Sequence, residues 1–262
     1  MAFFTTLYSG SSGNCGVVWQ GEEYLMIDVG KSCRTTLSAL KELELDPRGL
    51  RGILITHEHT DHIGGLSVFL KKNPVPVYAG EETLLHLEEQ GILPAGVEAI
   101  PLGEAQEEIG GFGVKAFATS HDVPCCGFRI ETPDHKVMSI ATDLGTLTPA
   151  VHQNLAGADL VALESNYDRE CLRCGPYPYY LKRRIESARG HLSNDECSAK
   201  LLELMQEGCR RFALCHMSKE NNREDLVLGT LRRLLLEAGL MPEKGTRVQV
   251  QKRSEVSQVL DF

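Results

Sequence analysis

The chain has 262 residues, a formal net charge of −9 and a pI near 5.5. That excludes a protein that coats nucleic acid through a broad basic field, but not an enzyme that meets phosphates at one locus. It is 42% hydrophobic and no apolar run reaches the roughly 18 residues that cross a bilayer, so it reads as one cytoplasmic α/β domain over residues 1–262 with no membrane contact. Nine cysteines lie in no regular framework, and Cys171 and Cys174 form the one C-x-x-C. This fits reduced thiols better than a disulfide scaffold or a structural zinc site.

Residues 2–8 are rich in aromatic and β-branched side chains and read as a strand, with a small-residue loop over 9–14. Residues 15–19 and 23–28 flank Gln20-Gly21-Glu22 as a hairpin, and 31–43 carry Leu37, Leu40 and Leu43 at helical spacing. Asp46-Pro47 breaks the chain before an apolar run over 52–56, a short buried strand. A helix starts near Leu66 and runs to about Lys72. Prolines within 74–78 make that strand an edge. Residues 81–90 read as helix, and 97–100, 107–109, 114–119, 127–131 and 137–142 as successive strands. A short helix over 148–155 and a strand over 159–164 follow. From 166 to 190 the character changes: Gly175-Pro176-Tyr177-Pro178-Tyr179-Tyr180 is stiff and aromatic, and Lys182-Arg183-Arg184 is basic. A helix over 193–207, a strand over 211–215, an amphipathic helix over 222–238 and a last strand over 247–251 complete the chain. Two β-rich halves with helices outside predict a four-layer αββα sandwich.

The apolar run ends in His57-Glu58-His59-Thr60-Asp61-His62, which puts three imidazoles and the Asp61 carboxylate within six residues. Imidazole with carboxylate suits Zn, Fe or Mn better than Mg or Ca. His57 and His59, two apart in an extended loop, can converge on one ion. Asp61 and His62 are adjacent, so they need a tight turn into a helix to point together. Three more ligand-type residues follow apolar strands: His121, Asp143 and His216. Alone, each would be an ordinary capping group; with the first cluster they make seven candidate ligands.

Thr56-His-Glu-His-Thr-Asp-His-Ile-Gly-Gly65 with His121, Asp143 and His216 in this order resembles the metallo-β-lactamase-fold hydrolases, over almost the whole chain. Ser9-Gly-Ser-Ser-Gly-Asn14, Leu163-Glu-Ser-Asn-Tyr-Asp168, Gly175-Pro-Tyr-Pro178, Gly190-His-Leu-Ser-Asn194 and His216-Met-Ser-Lys-Glu-Asn-Asn222 look like the YycJ/WalJ-type members, bacterial proteins regarded as DNA exonucleases. The resemblance implies two divalent metal ions (Zn, Mn or Fe). His57, His59 and His121 would hold one ion, Asp61, His62 and His216 the other, and Asp143 would bridge. Two ions about 3.5–4 Å apart share a hydroxide and clamp both oxygens of a phosphodiester displacement, and Asp61 would orient that hydroxide or accept its proton. Glu164 and His191 look like the pair that the phosphodiesterase branch, including RNase Z, adds to the ligands: His191 to protonate the leaving oxygen, Glu164 to fix its tautomer. Asp28 reads as an orienter of a ligand histidine or as a buried carboxylate accepting backbone N–H groups.

Ser11, Ser12 and Asn14 are candidate phosphate donors, or a plain tight turn. Tyr177, Tyr179 and Tyr180 beside Lys182, Arg183 and Arg184 suit stacking and charge neutralisation on a single strand, or else a loop packed by tyrosines under a solvated basic face. His121 and Asp143 stand too close in sequence for the tRNA-clamping arm of RNase Z, and the 144–215 interval is already filled, which leaves no room for a β-CASP cap. The expectation is an open site and a 5′-to-3′ DNA exonuclease. A hydrolase of RNA or a small phosphodiester, a thioester or lactam hydrolase, and a non-catalytic metal-binding regulator are the alternatives. Oligomeric state is not legible.

Overall fold

A computed structural model describes residues 1–262. Its elements, in chain order, begin with β1 (Phe3–Gly10), β2 (Gly13–Gln20), β3 (Glu23–Ile27), α1 (Cys33–Glu42), β4 (Leu50–Ile55), α2 (Thr60–Ile63), α3 (Leu66–Lys72), β5 (Val77–Ala79), α4 (Glu81–Glu89) and β6 (Ala99–Pro101). There follow β7 (Glu107–Ile109), β8 (Phe112–Ala118), β9 (Cys126–Glu131), β10 (Val137–Ala141), α5 (Pro149–Leu155) and β11 (Leu160–Glu164). The remainder is α6 (Arg169–Cys174), α7 (Tyr179–Ile185), α8 (Asn194–Gln206), β12 (Arg211–Cys215), α9 (Glu224–Glu237), β13 (Arg247–Val250) and β14 (Leu260–Asp261).

The strands form two seven-stranded sheets, ordered β14-β1-β2-β3-β4-β5-β6 and β13-β12-β11-β10-β9-β8-β7. Three apolar clusters fill three interlayer spaces. One joins the first sheet to α1, α3 and α4 through Met26, Ile53, Ile55, Leu40, Phe69 and Leu87. A second lies between the sheets, with Leu25, Ile27 and Leu54 facing Phe128, Ile140 and Ala213. The third joins the second sheet to α5, α8 and α9 through Val161, Phe212, Leu155, Leu201 and Leu231. Successive residues of β4 and β12 therefore point into different cores, both apolar, which explains their unbroken hydrophobic runs. The layers are helix, sheet, sheet, helix, as the sequence predicts.

Four expectations need correction. The loop over 9–14 is mostly strand: Ser9 pairs with Asn14 and Gly10 with Gly13, so Ser11 and Ser12 alone make the turn. The strand near 74–78 is not an edge, since β5 lies between β4 and β6. Its prolines precede the ladder, and Pro76 contributes only its carbonyl, which accepts from Ile53 N at 3.0 Å. The stiff 175–184 segment is helical over α7, and α6 precedes it; their short length hid their periodicity. Finally, β13 is not the last strand. Residues 251–258 cross between the sheets, with Ser257 N bonded to Thr6 O at 3.0 Å and Gln251 Oε1 accepting from Thr6 Oγ1 at 3.0 Å, and β14 then pairs with β1. All nine cysteines are free.

The turn after β3 is packed backbone to backbone on the turn that carries α2. Val29 N bonds to His62 O at 2.7 Å, Gly65 N to Val29 O at 2.8 Å, and Gly30 N to Asn14 O at 2.9 Å. A Cβ at Gly30 would lie 1.8 Å from Asp61 O and 2.6 Å from Asn14 N. Backbone atoms cannot yield as a side-chain tip can. Gly30→Ala is therefore expected to lower the unfolding free energy by about 3 kcal/mol, the upper range for overpacking. Urea unfolding checks this, and a change below about 0.5 kcal/mol would mean the two turns move freely.

Candidate metal centre

Every candidate ligand stands where a strand ends. β4 runs into His57 and His59, and the one-turn helix α2 presents Asp61 and His62 together. Asp28 and His216 directly follow β3 and β12, Glu164 ends β11, and Asp143 lies two residues past β10. Asp28, Asp143 and His216 adopt φ values of 63°, 55° and 56°. This left-handed conformation is rare outside glycine, though Asp and His tolerate it better than most. Strained backbone of this kind concentrates at working sites.

The first cluster is His57, His59 and His121. His59 Nδ1 lies 3.0 Å from His57 Nε2 and 3.4 Å from His121 Nε2. The second is Asp61, His62 and His216: Asp61 Oδ2 stands 3.6 Å from the Nε2 of each histidine. Asp143 lies between them, 3.3 Å from His62 Nε2, 3.5 Å from His216 Nδ1 and 4.0 Å from His121 Nε2. Within each cluster the ligand-type atoms lie within 4.8 Å of one another.

Each imidazole has an oxygen at its outer nitrogen. His57 Nδ1 meets Thr56 Oγ1 at 3.0 Å, His62 Nδ1 meets Asp28 Oδ2 at 2.7 Å, and His121 Nδ1 meets Gly190 O at 3.2 Å. His216 Nδ1 meets Glu164 Oε1 at 2.7 Å, and His59 Nε2 stands 3.5 Å from Asp122 Oδ1. Such partners fix ring orientation and tautomer. Asp28 thus contacts His62, and it also accepts from Thr56 N at 2.9 Å, so both contacts anticipated for it are made.

The residues fit two divalent ions. His216 Nε2 and Asp143 Oδ2 are buried with no hydrogen-bond partner on the chain, an arrangement that is costly unless something else meets those lone pairs. Four of the five histidines are buried, and imidazole with carboxylate is the donor set of Zn, Mn and Fe sites.

Charge distribution in the metal-free protein follows from these contacts. Burial lowers the His57 pKa well below its ordinary value, and the neighbouring histidines lower it further. Burial also opposes the charge on His62, but Asp143 and Asp28 more than reverse it and lift its pKa to about 9. Burial opposes the charge on Asp61 too, yet His216 and His62 hold it well below the usual carboxylate range. The stabilisation from His62 is complete below its unfolded pKa of about 6.5 and is lost as pH rises through about 9. His57 acts oppositely: its unfolded form takes up a proton below about 6.5 and the folded form does not. The melting temperature of metal-free protein is therefore expected to be highest near neutral pH and to fall on both sides. A profile still rising at pH 9 would contradict the His62 pairing.

Glu164 holds two histidines, not one. Its Oε1 accepts from His191 Nδ1 at 2.8 Å and His216 Nδ1 at 2.7 Å, while Oε2 accepts from Leu144 N and Leu192 N, each at 3.1 Å. Burial opposes its charge, but His191 and His216 keep it ionised. In return, although burial opposes it, Glu164 raises the pKa of His191.

The substrate-loop residues divide. Ser11, Tyr177, Arg184, His191, His216 and Ser218 line one cavity of about 170 Å³. Ser12 is exposed on the hairpin turn, and Arg183 is exposed on α7. Tyr179 and Tyr180 are 77% and 74% exposed. Asn14 is not free for phosphate: its Oδ1 accepts from Gly10 N at 2.8 Å, and its Nδ2 is 3.0 Å from His62 Nε2 and 3.3 Å from Asp61 Oδ2. It braces the second cluster. Lys182 is likewise committed, donating to Arg173 O at 2.8 Å and Gly175 O at 2.7 Å as it closes the end of α6. Two contributors went unread in the sequence. Asp122 joins His59 to Arg184, with which it forms an ion pair, and its place directly after His121 was the available signal. Asn166 donates to His216 O at 2.8 Å; it lies inside the Leu163–Asp168 motif, which gave it no individual role.

Two facing seven-stranded sheets between helices, with this histidine and aspartate constellation on their strand ends, define a metal-dependent hydrolase fold. A sequence model of the β-lactamase superfamily domain matches residues 24–217, and the chain belongs to the metallo-β-lactamase superfamily. Its relatives include exodeoxyribonuclease YycJ of Bacillus anthracis, 34% identical over 90% of each chain. Exodeoxyribonuclease WalJ of Streptococcus pneumoniae serotype 2 is 33% identical over 90% of this chain and 89% of its own. The crystal structure of the metallo-β-lactamase fold protein YhfI from Bacillus subtilis shares the fold, with a TM-score of 0.72 and 17% identity over 98% of both chains.

Proposed function

We propose that the chain is a two-metal phosphodiesterase that degrades DNA exonucleolytically from the 5′ end. The observation that carries the hydrolytic part is the Glu164 carboxylate shared by His191 and His216. It ties a candidate proton donor to a candidate metal ligand in one rigid unit. The likeness to YycJ and WalJ carries the choice of DNA.

When bound, two divalent ions supply Lewis acidity and lower the pKa of water. His57, His59 and His121 would hold one, Asp61, His62 and His216 the other, with Asp143 common to both. The chain's own groups do the rest. Asp61, ionised and partly accessible, accepts a proton from the attacking water and orients it. His191, 21% exposed and held as imidazolium by Glu164, faces the cavity and gives its proton to the leaving oxygen. Arg184, steadied by Asp122, and the Ser11 hydroxyl stand beside the same cavity to meet phosphate oxygens. Tyr177 forms a flank of the cavity.

The test is hydrolysis by metal-loaded protein of end-labelled single- and double-stranded DNA, RNA, bis-p-nitrophenyl phosphate, a lactam and a thioester. DNA shortening from its 5′ end is the expected result. Turnover confined to the lactam or thioester would sink the phosphodiesterase reading, and turnover of RNA alone would sink the choice of DNA.

A further inference from the structure

Two cations without an ion-pair partner flank the hairpin turn between β1 and β2. We infer that Lys31 and Arg253 bind a second phosphate of the strand, the neighbour of the phosphate being cut, on the side of the Asp61, His62 and His216 cluster. This rests on the phosphodiesterase reading above and names a further group of the substrate that the same site recognises.

The fold makes room for both side chains. Gly10 and Gly13 pair across the hairpin, one on each side of the Ser11-Ser12 turn. Arg253 lies over Gly10, where an added Cβ would stand 3.1 Å from its Nε and 3.5 Å from its Cγ. Lys31 lies over Gly13, where an added Cβ would stand 2.4 Å from its Cγ and 3.2 Å from its Cε. The two cations are 222 residues apart in sequence yet joined directly, Lys31 Nζ donating to Arg253 O at 3.3 Å. Lys31 Nζ also stands 4.8 Å from the centre of the Tyr8 ring. The main chain beside each is fixed: Gly30 N donates to Asn14 O at 2.9 Å, and Ser9 N to Lys252 O at 3.0 Å.

The positive charge held there is not offset. No carboxylate faces Lys31; burial, and then Arg253, lower its pKa. Burial lowers the pKa of Arg253 as well, opposed by Tyr177 and Glu220. Glu220 is already shared with Lys219 at 3.6 Å. The adjacent Lys252, by contrast, has Glu224 at 3.6 Å. Arg253 Nε is buried and meets no acceptor on the chain, which is costly unless an anion supplies one. Ammonium and guanidinium groups held together against their own repulsion, in a chain of net charge −9, suit an anion. A phosphate has oxygens enough to accept from both.

Their place beside the metal centre indicates which phosphate. Ser11, between the two glycines, lines the cavity that holds His191 and His216, and Tyr177 borders both that cavity and Arg253. Asn14, directly after Gly13, has its Nδ2 3.3 Å from Asp61 Oδ2. Arg184 lies toward the other cluster, joined through Asp122 to His59, and its charge is already met. The scissile phosphate falls between these two groups of cations, and the adjoining phosphate comes to the hairpin turn.

Metal-loaded protein is given thymidylyl-thymidine, whose one phosphate is the bond cut, and the same dinucleotide with a further phosphate on its 5′ or its 3′ terminus. A phosphate on one terminus is expected to raise kcat/KM about tenfold. The terminus that does so tells whether the end or the body of a strand reaches Lys31 and Arg253. Lys31→Met with Arg253→Gln should erase the gain, and Lys31→Arg with Arg253→Lys should keep it. Each gain is a ratio within one protein, so lost metal or lost folding cancels. Binding of single-stranded DNA to metal-free protein gives a readout without turnover: the slope of log K against log salt should shrink by about 0.7 in the neutral variant, the share of one phosphate contact. No gain from either terminal phosphate, a gain that survives the neutral variant, or an unchanged salt slope would each overturn the assignment while phosphodiester hydrolysis still stood. Absence of DNA, RNA and bis-p-nitrophenyl phosphate hydrolysis alike would overturn the reading on which it rests.

Discussion

Asp143→Asn is expected to reduce bound metal from two ions to one or none per chain and to lower phosphodiesterase turnover on the order of 10⁴-fold, the scale on which a member of a catalytic unit acts. Asn is the informative replacement. Asp143 sits at φ 55°, where Asn is tolerated and Ala is strained. Asn also keeps the shape of the side chain while removing the charge that faces His62, His216 and His121. Metal content by elemental analysis, paired with melting temperature, separates lost ligation from lost folding. A variant with two bound ions would show that Asp143 is not shared between the clusters. His59→Ala is the narrower companion, expected to empty the first cluster alone.

The second large effect is expected at Glu164. Its carboxylate holds His191 and His216 through one oxygen, so Glu164→Gln disturbs proton transfer and ligation together. Turnover should fall about 10²–10⁴-fold, the usual contribution of a general acid, and metal affinity about 10–100-fold, the usual cost of losing a ligand's outer partner. His191→Ala provides the contrast. It should match the loss in turnover with metal content unchanged, because His191 lies in neither of the two clusters. Its expected signature is loss of the alkaline limb of the pH–rate profile. If Glu164→Gln left metal affinity at the wild-type value, the hydrogen bond to His216 would be irrelevant to ligation. If His191→Ala lost metal, His191 would be a ligand.

The layers and the convergence of the candidate ligands were legible because they depend on local pattern. Apolar runs such as 52–56 and 211–215 mark strands buried on both faces, and each delivers one polar group at its end. The residues from His57 to His62 carry their geometry in their spacing, since two apart in a loop and adjacent in a helical turn are both short-range facts. What was hidden depended on distant partners. Nothing in the sequence says that Glu164 serves two histidines, because His191 and His216 reach it from different elements. Asn14 looked like a loop donor until the two-residue turn at Ser11-Ser12 set it on the strand that faces Asp61 and His62. Lys182 looked like part of a basic patch, but it ends α6 by donating to carbonyls. Pro74 and Pro76 suggested an edge because the start of β5 could not be told from the residues before it.

The left-handed backbone at Asp28, Asp143 and His216 has a thermodynamic consequence. These side chains are aimed by main-chain dihedrals fixed when the sheets dock, and His57, His62, His121 and His216 are held at their outer nitrogens as well. Their conformational entropy is surrendered during folding, not during ion capture. Ion capture then carries little ordering cost, and its free energy is governed by the protons it displaces from His62 and His216 and by desolvation of the ion. The enthalpy of uptake should therefore track the ionisation enthalpy of the buffer, the mark of a reaction limited by proton release.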